Sequence, residues 1–231
     1  MANFVEFSGT AVLNQNLAGK IADALREAIT LRGQASLIVS GGRTPLELFR
    51  YLARQQLDWR CVMITLSDER WVASDNGSSN EKMVRNSLLQ GEVAKATFIA
   101  LKNPAGSASA GQAAIEQALS TLPLPADVTL LGMGDDGHIA SLFPGSANLA
   151  LALDLHSGKR CMAITPLTAP LERITLTLPV LLNSQRIYLL LAGESKREVY
   201  DRAVKGTDQN EMPVRAILNQ QQTPVEVYWT A

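Results

Sequence analysis

At 231 residues, 46% hydrophobic and 19% charged, the chain is long enough to close a full α/β core and too apolar to be a disordered polymer. Its 21 Lys and Arg against 22 Asp and Glu leave a formal charge of -1, which excludes the long-range basic field of a nucleic-acid or anionic-membrane binder, so any anion site has to be local. The segment 1–7 lacks the charged and apolar regions of a signal peptide, and no apolar run approaches the roughly 20 residues that span a bilayer, so the expected location is the cytoplasm. Cys61 and Cys161, far apart and without metal-ligand spacing, read as two buried thiols in a reducing compartment.

A helical pattern over 17–31, with Ile21, Leu25 and Ala28 on one face, leads to a short apolar run at 37–39. That run ends in Ser40-Gly41-Gly42-Arg43-Thr44-Pro45-Leu46-Glu47. Thr44 as N-cap, Pro45 at the first helical position and Glu47 three residues after the cap make a capping-box signature, which predicts a helix over 45–54 directly after the glycine pair. Two glycines let backbone N–H groups converge beside the positive end of a helix, a physical recipe for holding phosphate, although a plain strand-to-helix turn reads the same way. The Lys of a nucleotide P-loop is missing.

A second apolar run, 62–66, continues into Ser67-Asp68-Glu69-Arg70-Trp71. Ligands of open α/β sheets sit at strand carboxyl ends, where two carboxylates and an arginine suit sugar hydroxyls and an anion; a surface ion-pair cluster beside a half-buried Trp is the equal alternative. A helix over 81–89, a strand over 97–101, a surface loop over 103–110 and a helix over 112–122 follow.

The strand at 128–131 opens onto Gly132-Met-Gly134-Asp135-Asp136-Gly137-His138-Ile-Ala-Ser-Leu-Phe-Pro144. The Gly-x-Gly-x-x-Gly spacing of a dinucleotide site is present, yet two aspartates stand where a pyrophosphate must approach, and Pro144 leaves room for only a short helix. The glycines instead suit close approach of backbone to a small ligand, with His138 presented at the lip of the sheet and Asp136 beside it, a pair fitted to removing a proton from water. His156 reads as an exposed loop residue, and neither histidine has a zinc partner at ligand spacing. Further runs at 161–165, 187–191 and 225–229 and a helix over 196–204 complete the chain. Arg173 and Lys196 each border an apolar strand. Lys196 falls at a helix start, where a cation is disfavoured unless an anion is also present, although both also read as ordinary solvated charges.

Most of the apolar runs lack alternation, as buried parallel strands do, and they alternate with helices, so the expected fold is α/β: a single Rossmann-like domain with a largely parallel sheet covered by helices on both faces. No internal repeat or low-complexity tract interrupts it.

Taken in order, the motifs at 40–45, 67–72, 132–138, 141–145, 173–177 and 193–196 resemble those of the 6-phosphogluconolactonase family, itself related to the glucosamine-6-phosphate isomerase/deaminase group. The resemblance implies hydrolysis of 6-phospho-D-glucono-1,5-lactone in the oxidative pentose phosphate route, without metal or organic cofactor, by a monomer or homodimer whose partner is a small phosphorylated sugar lactone. It implies His138 as general base with Asp136 beside it. It also implies Ser40, Gly41 and Gly42 around the phosphate, Arg70, Arg173 and Lys196 as candidate cations, and Asp68 near sugar hydroxyls. A deaminase is the nearest rival, but Arg70 after Asp68-Glu69 and the Ser-Leu-Phe-Pro at 141–144 resemble the lactonases. A non-catalytic sugar-phosphate sensor would need the phosphate cradle but not His138.

Overall fold

The computed structural model describes residues 2–167, 169 and 171–231. Seven strands form one sheet with every neighbouring pair parallel, in the order β1 (Asn3–Glu6), β10 (Val225–Thr230), β9 (Ile187–Ala192), β6 (Val128–Leu131), β2 (Ala35–Val39), β3 (Val62–Leu66) and β5 (Thr97–Ile99). Every residue of β2 and β6 is buried, which requires cover on both faces and explains why these runs are mostly apolar without alternation, Ser36 and Thr129 being the buried polar exceptions. One core cluster extends from Leu13 to Trp229.

Between the strands lie α1 (Thr10–Arg32), α2 (Pro45–Leu52), α3 (Asn80–Ser87), α4 (Ala108–Leu119), α5 (Leu149–Leu153), α6 (Leu178–Leu182), α7 (Glu194–Ala203) and α8 (Arg215–Leu218). Among the described residues, no helix is long and apolar enough to cross a membrane. Helix α1 starts seven residues before the expected Leu17. Short polar Asn14 and Asn16 disfavour a helix locally, but Leu13 and Leu17 bury against the core, and packing overrides propensity. The helix ends at Gly33, whose left-handed backbone (φ 72°) lets its N–H reach the Ile29 carbonyl at 2.8 Å.

The run at 161–165 stands outside the parallel sheet. As β7 (Cys161–Ile164) it pairs antiparallel with β8 (Arg173–Leu176), which pairs antiparallel with β4 (Asp68–Arg70). The free edge of β7 is finished by side chains of α4: Gln112 bridges the Cys161 carbonyl and the Ala163 N–H, both at 3.0 Å, and Glu116 accepts from the Cys161 N–H at 2.9 Å. A sheet edge paired with a helix in this way needs no further strand. Of the two thiols, Cys161 is buried as expected, whereas Cys61 is only partly so. His156 is exposed.

Candidate active site

Strands β2 and β6 are neighbours, yet the chain leaves β2 toward β3 on one side and β6 toward β9 on the other. The connections leaving their carboxyl ends therefore part, and the crevice between those connections is where an open α/β sheet takes its ligand. A cleft of about 670 Å³ opens there, lined by Ser40, Gly41, Gly42, Asp68, Arg70, His138, Arg173 and Lys196, among others. Eight of the nine site residues picked from sequence meet in one cavity. The ninth, Asp136, stands behind His138.

The β6 strand ends in a tight turn, closed by Gly134 N–H to the His138 carbonyl at 2.8 Å and by Gly137 N–H to the Gly134 carbonyl at 3.1 Å. Gly137 takes a left-handed backbone, φ 79°. The turn folds His138 back so that Nδ1 lies 2.5 Å from Oδ1 of Asp136, which also accepts the His138 backbone N–H at 3.1 Å. Burial alone would raise the Asp136 pKa, but the His138 hydrogen bond and charge outweigh it and hold the carboxyl below its ordinary value. A carboxylate on Nδ1 fixes the tautomer and leaves Nε2 as the ring nitrogen able to take a proton. Gly134 is required for this pairing, because a Cβ there would stand 2.1 Å from His138 Nδ1 and 2.7 Å from Asp136 Oδ1. The ring of Phe143 packs on the imidazole with centroids 4.0 Å apart, so ring and carboxylate together restrict its rotation.

Arg70 and Arg173 occupy directly paired positions on β4 and β8. Like charges opposite one another destabilise a sheet, and here both Nε atoms are buried without a hydrogen-bond partner. Arg70 spends Nη1 on the Ser78 carbonyl at 2.7 Å. Arg173, 9% exposed, lies against Phe143, with Cζ 5.6 Å from the ring centroid. Burial first, and then the Arg70 charge, lower the Arg173 pKa from its ordinary value. Two guanidinium groups thus stand side by side, Arg173 buried and Arg70 half-buried, each with an Nε donor that the protein does not use. Lys196, in the first turn of α7, reaches Asp135 at 2.6 Å; this carboxylate supplies the counter-charge that a cation at a helix start calls for.

Asp68 is buried and points both oxygens at hydroxyls, Ser67 Oγ at 3.1 Å and Ser141 Oγ at 2.5 Å. Glu69, expected beside it as a possible sugar contact, faces the other way. Its carboxylate accepts the backbone N–H groups of Arg70, Asn80 and Glu81, each at 2.7 Å, and the Ser79 hydroxyl at 3.0 Å, so it serves as the anchor of the α3 start. The predicted capping box of α2 is also absent: the helix begins at Pro45 as expected, but Thr44 is itself helical (φ -58°, ψ -44°) and its side chain caps nothing. The glycine pair delivers the turn without it. Gly42 takes φ 97°, and a Cβ on Gly41 would overlap the Asn80 side chain at 2.0 Å.

Asn80 was not picked out from the sequence, and Asp135, Ser141 and Phe143 were noted there only as parts of their motifs, without a role in the site. Only the bare backbone of Gly41 hinted that a neighbour's side chain passes close. Among the described residues, no cluster of three or more His, Cys, Asp or Glu side chains is arranged to hold a metal ion.

The family model described as glucosamine-6-phosphate isomerases/6-phosphogluconolactonase matches residues 8–229. The chain belongs to this family. A 6-phosphogluconolactonase of Pseudomonas aeruginosa is 42% identical over 215 residues, covering 93% of this chain and 89% of that protein. One from Pseudomonas putida is 41% identical over 224 residues, 97% of this chain and 91% of its own. The crystal structure of a 6-phosphogluconolactonase from Shewanella baltica superposes with a TM-score of 0.98 at 48% identity, covering 100% of this chain and 98% of the other. The matched span contains every residue of the cleft.

Proposed function

We propose that this chain is a 6-phosphogluconolactonase that hydrolyses 6-phospho-D-glucono-1,5-lactone to 6-phospho-D-gluconate, with His138 as general base. Relatives of about 40% identity, matched over 89% and 91% of their own length, carry that name, and the observation that carries the mechanism is the pairing of Asp136 with His138, whose ring lines the same cleft as two arginines with unpartnered Nε donors.

The chemistry follows from the ring nitrogen left free. His138 Nε2 takes a proton from water as the water oxygen bonds to C1, and the C1 carbonyl electrons move to oxygen. Collapse of that oxyanion re-forms the carbonyl and breaks the C1–O5 bond; the imidazolium returns its proton to O5, which leaves as the C5 hydroxyl. Asp136 stabilises the imidazolium between the two transfers and keeps the productive tautomer. The phosphate sits between Arg70, Arg173 and Lys196 and the backbone of Ser40, Gly41 and Gly42, relieving the repulsion between the paired arginines. Asp68, fixed by Ser141, faces the sugar hydroxyls.

The test is hydrolysis of freshly generated lactone by wild type and His138→Ala, with the spontaneous opening rate subtracted. Wild type is expected to accelerate opening, and the variant to lose about 10² to 10⁴ in rate while staying folded. No acceleration by wild type refutes the substrate assignment; full activity in the variant refutes the role of His138.

A further inference from the structure

The turn that carries His138 is closed by two backbone hydrogen bonds and contains two glycines, Gly134 and Gly137, so it has little stiffness of its own. What stands behind it is the connection from α7 to α8, residues 204–214, which forms no helix or strand and is exposed over most of 204–211. The Val214 N–H donates to the Gly137 carbonyl at 2.9 Å. The buried Met212 side chain fills the space that a Cβ on Gly137 would take, with Cε 2.8 Å and Cβ 3.0 Å from that position. From the last turn of α7, Arg202 Nη2 donates to the Asp135 carbonyl at 3.3 Å. Residues 135–137 are therefore held from outside at three points.

One buried side chain ties the three together. Arg215, the first residue of α8, is 6% exposed, and its guanidinium is folded into the connection. Nε donates to the Ala203 carbonyl at the end of α7 at 3.2 Å, and Nη1 donates to the Asp208 carbonyl at 3.0 Å and to the Glu211 carboxylate. Its backbone N–H donates to the Met212 carbonyl at 2.9 Å. Gly206 leaves the room for this, since a Cβ there would stand 2.3 Å from Nη2. Burying a guanidinium is costly unless its donors are used. Here two of the three groups it binds are carbonyls of a segment with no ladder of its own, and among the described residues its one ion-pair partner is Glu211. Arg215 is placed to fix the course of the chain.

We infer that Arg215 is a positioning residue for His138: by holding the end of α7 and the 204–214 connection together, it presses Met212, Val214 and Arg202 against the turn, and the turn keeps the imidazole on Asp136. The inference rests on the reading of His138 as general base and adds a residue that does not line the cleft. A misplacement of about 1 Å, caused far from the chemistry, can cost about 10² in rate, and reacting groups stay in place only where a second layer of side chains locks them. Arg70 and Arg173 lie on β4 and β8 in the other sheet and share none of these contacts, so loosening the turn should slow the reaction and leave binding nearly intact.

The test combines lactone kinetics with ring ¹⁵N NMR of the full-length protein labelled at histidine, in alkaline buffer where the rings are neutral; exposed His156 is the internal reference. Wild-type His138 should carry its proton on Nδ1, facing Asp136. In Arg215→Met, kcat should fall by about tenfold or more with KM within about threefold, and the His138 tautomer should shift toward the mixture of a free imidazole. Met212→Ala, which keeps the arginine and removes only the packing on Gly137, should move both readouts the same way by less, and it decides the matter if Arg215→Met does not fold. Val93→Ala opens a cavity in the turn just before β5; it is the control for lost stability and should keep wild-type kcat and tautomer. The inference is overturned if the folded Arg215 or Met212 variant keeps the wild-type tautomer and kcat, or if Val93→Ala loses as much as they do. Failure of wild type to open the lactone would remove the substrate reading alone, since the tautomer still reports whether the turn is braced.

Discussion

The opposed arginines make the sharpest prediction, because removing one should improve the empty protein while harming the loaded one. Arg173 is buried, faces Arg70 across two antiparallel strands and leaves Nε unsatisfied. An unsatisfied buried donor costs about 1 to 3 kcal/mol and a like-charge cross-strand pair up to about 1 kcal/mol. Arg173→Met keeps the aliphatic packing on Phe143 and removes both penalties, so after some loss of dispersion contacts the empty variant should gain about 1 to 2 kcal/mol. For a chain of this size that raises Tm by about 2 to 8 °C. Phosphate at about 100 times its Kd should stabilise wild type by about 2.7 kcal/mol. A tenfold weaker site in the variant would reduce this to about 1.4 kcal/mol at the same concentration. Thermal melts of both proteins, with and without inorganic phosphate, read all four values. A variant less stable than wild type when empty, with an undiminished phosphate response, would show that the arginine pair is a structural element satisfied by its surroundings, and the anion site would have to be placed elsewhere.

The dyad can be broken without touching either of its members: Gly134→Ala puts a methyl 2.1 Å from His138 Nδ1, and should lower kcat on the lactone by about 10² or more with the circular dichroism spectrum intact; an active variant would show that the pair is not needed. Asp136→Asn should lose both activity and stability near neutrality. Because the wild-type carboxyl is held below its ordinary pKa, its stabilising contribution is full above the unfolded value of about 3.9 and disappears as pH falls through the folded one, so wild-type and variant denaturation midpoints should converge only in acid. A constant gap down to pH 2 would refute the coupling. Glu69→Gln leaves two of its four donors, one on β4 and three at the α3 start, without an acceptor, and a loss of about 1 to 3 kcal/mol is expected in urea denaturation. An unchanged midpoint would mean that the α3 start does not depend on this carboxylate.

Strands β3 and β6 were legible in sequence to the residue, because each is a β-rich run, apolar but for one threonine and without alternation, the mark of a strand covered on both faces. Strand β4, by contrast, is Asp68-Glu69-Arg70, and nothing in three consecutive charges announces a strand. It is one because β8, more than a hundred residues away, offers it a backbone to pair with. The same distance hid the relation between the arginines: Arg70 and Arg173 were each read as a candidate cation or an ordinary surface charge, and only the register sets them opposite one another. Local chemistry, such as His138 beside Asp136 in a glycine turn, is written locally and was read; frustration between remote residues is not.

The glycines hold a middle ground that sharpens how such motifs can be read. Gly41 and Gly134 do not take left-handed backbone, so conformational freedom does not account for them. Each is instead the empty half of a contact, Asn80 filling the space at one and His138 at the other. A glycine in an extended or helical conformation at a strand end thus signals that a polar side chain from elsewhere passes where its Cβ would be. At Gly134 the side chain is four residues on and could be guessed. At Gly41 it comes from the start of α3, positioned there by the Glu69 carboxylate, so the shape of the Gly41–Gly42 turn depends on a residue that itself does not line the cleft.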